Sequence, residues 1–156
     1  MKKCITLILS ALVLFSCKIP TATNGKLDNK SEVALKGNWS IASVTYPGSE
    51  YFKATSFDLA DSKCLVASTW KFVSNNNKGN MSLNSGACTA FTSPITWFIN
   101  KDGEFVMKIL DNQKAKKVTT GYVLRVANLT ESTFQLIDKM DVGGKMVDVT
   151  YTFNRI

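Results

Sequence analysis

From residue 39 onward, apolar and polar positions alternate with a period of two. The last segment shows it most clearly, with Val147, Val149, Tyr151 and Phe153 on one face and Asp148, Thr150, Thr152 and Asn154 on the other. The same alternation runs through Ile95, Trp97 and Ile99, and through Phe105, Met107 and Ile109. Such patterns, rich in β-branched and aromatic residues, predict half-buried strands. Eight are expected, at 39–46, 66–73, 79–85, 94–100, 104–109, 118–129, 133–138 and 145–154. Turn-forming runs separate them, among them Asn75-Asn76-Asn77-Lys78-Gly79, Asn100-Lys101-Asp102-Gly103 and Asp141-Val142-Gly143-Gly144. Short turns make successive strands antiparallel. Eight in series close most economically as an up-and-down β-barrel, which leaves no open edge. The fold class expected is therefore all-β, an eight-stranded antiparallel barrel with a short N-terminal helix. That helix reads from Ser31 as N-cap and Glu32 in the first turn to Gly37 as its stop.

The one long connection, 47–63, carries Tyr51, Phe52, Phe57 and Leu59. Long loops with apolar residues of their own pack on the body or serve a function.

The start of the chain has a different pattern. Lys2 and Lys3 precede an apolar run over 5–15, broken only by Thr6 and Ser10, and Ser16 stands before Cys17. This is the layout of a secretory signal, and the run is too short to span a bilayer. With Leu14 three residues before the cleavage point, Ser16 just before it and Cys17 just after, it resembles a bacterial lipoprotein signal. The resemblance implies cleavage before Cys17 and lipid on Cys17. Residues 17–30 then read as a flexible tether, polar and containing Pro20 and Gly25. Its 13 residues after Cys17 reach at most about 45 Å when extended. The barrel domain follows at 31–156.

Composition narrows the chemistry. The 156-residue chain carries +7, of which +5 is left once Lys2 and Lys3 are removed. A mild positive excess mostly solvates a surface. With no His, the commonest general base and metal ligand are missing. The 12 acids form no recognisable acid/base pair in the sequence, and Asp58 with Asp61, or Asp138 with Asp141, lacks a full oxygen-ligand loop for Ca²⁺. We therefore expect no enzyme, no cofactor and no metal. The basic turn of Lys114, Lys116 and Lys117 reads as a solubilising hairpin end rather than a lipid headgroup site, and nucleic-acid binding is not expected. Of the four cysteines, Cys4 leaves with the signal. If Cys17 carries lipid, Cys64 and Cys88 remain as a pair that would bond in an oxidising compartment.

Gly37-Asn38-Trp39 matches the Gly-x-Trp that opens the first strand of lipocalins after a short helix closing the barrel floor. With Leu35-x-Gly37-x-Trp39, two internal Cys, Trp97, Gly121-Tyr122 and a closing Thr150-Tyr151-Thr152-Phe153, residues 35–156 resemble the lipocalin-like lipoproteins of Bacteroidetes. The resemblance implies a cavity for an apolar ligand, and an Arg near the end of the last strand, Arg155, over Trp39. Gly37, Trp39 and Arg155 would close the barrel.

Trp70, Phe72, Trp97, Phe105, Tyr122, Phe134, Tyr151 and Phe153 are expected to point inward. In a filled barrel all are core. In a hollow one, Trp70, Phe72, Trp97, Phe105, Met107 and Tyr122 line a pocket, with Met81 and Met146 as adaptable wall and Tyr51, Phe52 and Phe57 as lid. The expected function is an outer-membrane lipoprotein, moored by its lipid on the periplasmic face, that binds a small apolar or amphipathic ligand. The alternative is a protein-binding accessory or inhibitor that docks on an envelope partner through its loops.

Overall fold

Gly37 takes the chain from a helix into the first strand at φ +139°, a conformation that L side chains rarely adopt. The computed structural model describes residues 29–156 except 85 and 87. The proposed signal, the Cys17 lipid site and the tether up to residue 28 lie outside the described residues. Helix α1 (Asn29–Leu35) starts two residues before the expected cap. The strands are β1 (Gly37–Thr45), β2 (Thr55–Ser56), β3 (Ala60–Asp61), β4 (Thr69–Val73), β5 (Lys78–Leu83), β6 (Phe91–Ile99), β7 (Phe105–Ile109), β8 (Tyr122–Ala127), β9 (Thr133–Val142) and β10 (Lys145–Arg155).

Eight of them form a closed antiparallel barrel in the order β1-β10-β9-β8-β7-β6-β5-β4. β1 closes it, setting Trp39 opposite Arg155 of β10 on one side and opposite Trp70 of β4 on the other. The register slips between Ile41 and Ser43, a bulge of the kind that bends a barrel strand. β2 and β3 make a separate hairpin inside the long loop, which sequence patterning missed because two-residue strands are too short to show a period.

Several strand boundaries differ from expectation, β6 for example starting at Phe91 rather than 94, and three of the differences have a clear local reason. Residues 66–68 leave the ladder because Ala67 is left-handed (φ 62°), although Ala67 N–H still donates to the Ile41 carbonyl at 2.8 Å. β8 starts at Tyr122 because its ladder with β7 begins with the Met107–Tyr122 pair. Residues 118–121 are loop, and Lys108 Nζ donates to the Val118 carbonyl at 2.9 Å. β9 continues to Val142 because Gly143 and Gly144, both at positive φ, make the whole connection to β10.

One end of the barrel, its floor, is closed by α1. Glu32 accepts from the Ile99 N–H at 2.7 Å, and Trp39 Nε1 donates to the Leu35 carbonyl at 2.9 Å. The Arg155 guanidinium lies 4.2 Å from the Trp39 ring centroid. It donates to the carbonyls of Glu131, Lys36 and Ala34, tying the helix exit and the β8–β9 turn to one cation. A Cβ on residue 37 would collide with this guanidinium, so Gly37 is required twice over, by space and by φ.

Above the floor the barrel is packed with rings. Trp39 meets Phe134 edge-on at 4.7 Å, Phe134 stacks on Phe153 at 4.4 Å, and Phe153 meets Trp70 at 5.8 Å. Phe72 touches Trp97, Phe105, Phe134 and Phe153, and Trp97 stacks on Phe105 at 5.6 Å. All of these side chains are buried.

Replacing Arg155 with Met keeps the aliphatic stem but removes the cation and its donors. Because the group is partly solvated, we expect a loss of about 1–2 kcal/mol. Arg155→Lys should recover less than half of it, since an ammonium cannot reach three carbonyls as a planar fork does. Urea unfolding midpoints check both.

Candidate functional site

The long connection from Tyr46 to Ser68 folds over the opposite end, the mouth. Tyr46 Oη donates to the Phe52 carbonyl at 2.8 Å, which holds the loop's first turn. The β2–β3 hairpin then dips into the barrel. In its turn Leu59 N–H donates to the Ser56 carbonyl at 3.0 Å, with Phe57 (φ 56°) and Asp58 (φ 49°) both left-handed. A bulky residue in that region is uncommon, and the conformation costs roughly 1–2 kcal/mol per residue. What the turn achieves is to aim the Phe57 ring down into the mouth. The ring stacks on Tyr151 at 5.3 Å and meets Tyr122 at 5.1 Å and Trp70 at 6.1 Å edge-on.

Hydroxyls fix the hairpin to the wall. Ser56 and Tyr151 hydroxyls lie 2.5 Å apart, Ser56 and Ser62 hydroxyls 2.6 Å, and Ser62 Oγ donates to the Ala54 carbonyl at 2.7 Å. Tyr122 Oη donates to the Phe57 carbonyl at 2.6 Å, and Asp58 Oδ2 is 3.5 Å from the same hydroxyl. A 3₁₀ turn, Ser62–Leu65, follows β3, with Asp61 accepting from Lys63 N–H at its start. It carries Cys64 to its disulfide with Cys88, 24 residues away in sequence. The two cysteines form one wall of an open cleft of about 530 Å³ beside the hairpin, completed by Leu59, Ala60, Leu83, Thr89, Ala90 and Phe91.

Alternation along β9 places Asp138 on the inward face, after Phe134 and Leu136. It is half-buried, and the Tyr122 and Tyr151 phenols lie close enough to feel its charge. Desolvation raises its proton affinity, partly offset by a backbone hydrogen bond from Lys139. Burial, together with Asp58 and Asp138, pushes Tyr122 up to about 12, and burial raises Tyr151 further, so both phenols are neutral donors.

The expected pocket wall therefore divides. Phe72, Trp97 and Phe105 lie in the packed ring column, and Met107 is buried opposite Tyr122 in the ladder. Trp70 and Tyr122 border the mouth, where Phe57 is a stopper inside the barrel rather than a lid over it. Tyr51 (83% exposed) and Phe52 (53%) do not cover the mouth; Phe52 lies beside Gly48 and the β9–β10 tip at Gly143. Met146 is 65% exposed, because it is on the outer face of β10. Ser56, Ser62 and Asp138 were not expected at the site. Asp138 was legible in the period of β9, whereas the serines depend on loop geometry that no pattern announces.

A closed eight-stranded up-and-down barrel, with a helix at its floor and a long loop across its mouth, is the architecture of a calyx protein. A family model for the lipocalin-like domain matches residues 35–136, and the chain belongs to that family. No curated protein and no solved structure matches the chain. Among the described residues no helix is long and apolar enough to cross a membrane.

Two measurements probe the mouth. Replacing both Cys64 and Cys88 with Ser reopens a loop of this length and should lower unfolding free energy by about 3.5 kcal/mol, read by denaturant titration. Asp138 binds its proton more tightly folded than unfolded, so its contribution to stability falls as pH rises through the raised value. Asp138→Asn should therefore raise the melting temperature at about pH 7, and the gain should vanish near about pH 3, where the carboxyl is protonated in both states.

Proposed function

We propose that the protein is an exported lipoprotein, anchored through Cys17 at the outer membrane, that holds a small apolar or amphipathic ligand at the barrel mouth. It works by binding and carries out no reaction. The observation that supports this reading is the seat of Phe57. Trp70, Tyr122 and Tyr151 surround a ring-sized site, and its occupant sits on a loop turn in a conformation unfavourable for its residue type. A ligand ring that takes the seat releases that turn and gains the same wall. The neighbouring cleft, about 530 Å³ and of mixed polar and apolar lining, accommodates the rest of an amphipathic molecule of modest size. The family's barrel fold is consistent with such binding. Anchoring follows from the Lys2 to Cys17 signal pattern, and mass spectrometry of the mature protein should find an acylated N-terminal Cys17.

Fluorescence of N-phenyl-1-naphthylamine, an uncharged apolar probe, tests the seat. Phe57→Ala should bind it about tenfold more tightly than the parent, since the ligand no longer has to displace the ring. Absence of enhancement in both proteins, with the fold intact by circular dichroism, rules the reading out.

One observation supports the docking alternative, the exposure of Tyr51 and Phe52 at the rim. Aromatic residues of this kind anchor protein interfaces. Crosslinking in membranes should then yield a stoichiometric partner that Tyr51→Ser with Phe52→Ser abolishes.

A further inference from the structure

The Phe57 seat has one feature that an apolar ligand does not use. The inward positions of β9 are Phe134, Leu136, Asp138, Met140 and Val142, and across β10 they face Val147, Val149, Tyr151 and Phe153. Among these, Asp138 alone is charged. It stands opposite Val149 in the ladder, between the two tyrosines that border the Phe57 ring.

No Lys or Arg among the described residues pairs with Asp138. The nearby cations are committed elsewhere: Arg125 and Lys139 both reach Asp148 on the outer face, at 3.3 and 3.1 Å. The neighbouring hydroxyls do not serve Asp138 either. Tyr122 Oη donates to the Phe57 carbonyl, and the Tyr151 hydroxyl is engaged with Ser56. A second carboxylate, Asp58, lies on the plug turn at the same phenol. Beyond the Lys139 backbone hydrogen bond to Asp138, the mouth thus combines aromatic walls with negative charge that no cation among the described residues pairs with. A half-buried carboxylate without a counter-ion is a standing cost, which a bound cation removes. Aromatic faces add to the attraction, since their quadrupoles favour cations.

Building on the ligand-binding reading above, we propose that the ligand is an organic cation: a ring-sized apolar group that takes the Phe57 seat, bearing a protonated amine that pairs with Asp138. Tyr122 and Tyr151 flank the amine, and the cleft beside Leu59, of mixed lining, receives any further part of the molecule.

A matched pair of competitors tests the charge apart from the ring. 1-Naphthylmethylamine is protonated at neutral pH, and 1-naphthylmethanol is its uncharged counterpart. Each is titrated against bound N-phenyl-1-naphthylamine on the full mature chain and on Asp138→Asn. The amine should displace the probe at about tenfold lower concentration than the alcohol, the scale of one charge-assisted contact. Asp138→Asn should abolish that preference, so that amine and alcohol displace the probe from the variant at equal concentration. Asp58→Asn, on the exposed turn, should retain most of it.

Equal competition by amine and alcohol overturns the cation assignment while leaving the apolar seat standing. A preference that survives Asp138→Asn overturns it as well, because the charge would then be recognised elsewhere. Failure of the probe to bind any of these proteins removes the seat, and the cation assignment with it.

Discussion

A closed barrel of eight strands encloses a column of space that must be filled, and in this protein aromatic rings fill it. The contacts run without a break from Trp39 at the floor through Phe134, Phe153 and Trp70 to Phe57 at the mouth, at centroid separations of 4.4 to 6.1 Å. Each such ring buries on the order of 150–250 Å² and prefers the edge-on and offset geometries seen here. Strand number and stagger set the diameter of the wall, and the rings fill what it encloses. Trp39, Trp70 and Trp97 come from β1, β4 and β6, so the filling also draws together segments distant in sequence. The floor depends on the same column. Arg155 lies on the face of Trp39, which is held by Phe134 and by its Nε1 hydrogen bond to the Leu35 carbonyl.

The packing divides the molecule into a part that cannot yield and a part that can. Below Trp70, opening space for a guest would separate several mutually stacked rings at once. At the mouth, one ring from one loop occupies the seat, and that loop is held mainly by hydroxyl contacts and the disulfide. Ser56, Ser62, Tyr122 and Tyr151 keep the hairpin down, while Cys64–Cys88 limits how far its far end can travel. Two left-handed non-glycine residues work against them. The loop also buries Ala54, Phe57 and Leu65, but strained segments open at lower free energy than unstrained core. The 24-residue span of the disulfide therefore keeps the loop close enough to re-seat after it opens.

The barrel was legible in the sequence because its strands are long and strictly alternating. β6, β7, β9 and β10 show a two-residue period that no helix can satisfy, and Gly37-x-Trp39 marks the floor. Their ends were harder to read. β8 was extended to 118 since Val118, Thr119 and Thr120 have strand propensity, yet the chain there lacks the β7 partner that begins at Tyr122. Propensity sees side chains, whereas a strand needs a neighbour. The mouth was the least legible part. Tyr51, Phe52 and Phe57 look alike in the sequence, and only the conformation of the loop sends Phe57 inward and leaves the other two in solvent. Asp138 is an instructive intermediate: period two puts it inside, but a carboxylate in a core position is easily read as a strand end instead.

The two ends of the barrel also differ in how they are closed. α1 joins the chain at the floor, so a lipid at Cys17 would be tethered to the closed end and the mouth would lie at the opposite pole. If the barrel stands on its tether, a ligand would reach the mouth from the aqueous compartment rather than from the bilayer. A purely apolar molecule is scarce in water and would partition into the membrane instead. An amphipathic cation remains soluble enough to arrive, keeps its ring for the seat and its charge for Asp138, and so fits both the placement of the mouth and the composition of its wall. Tyr51 and Phe52 are exposed on the loop at this pole.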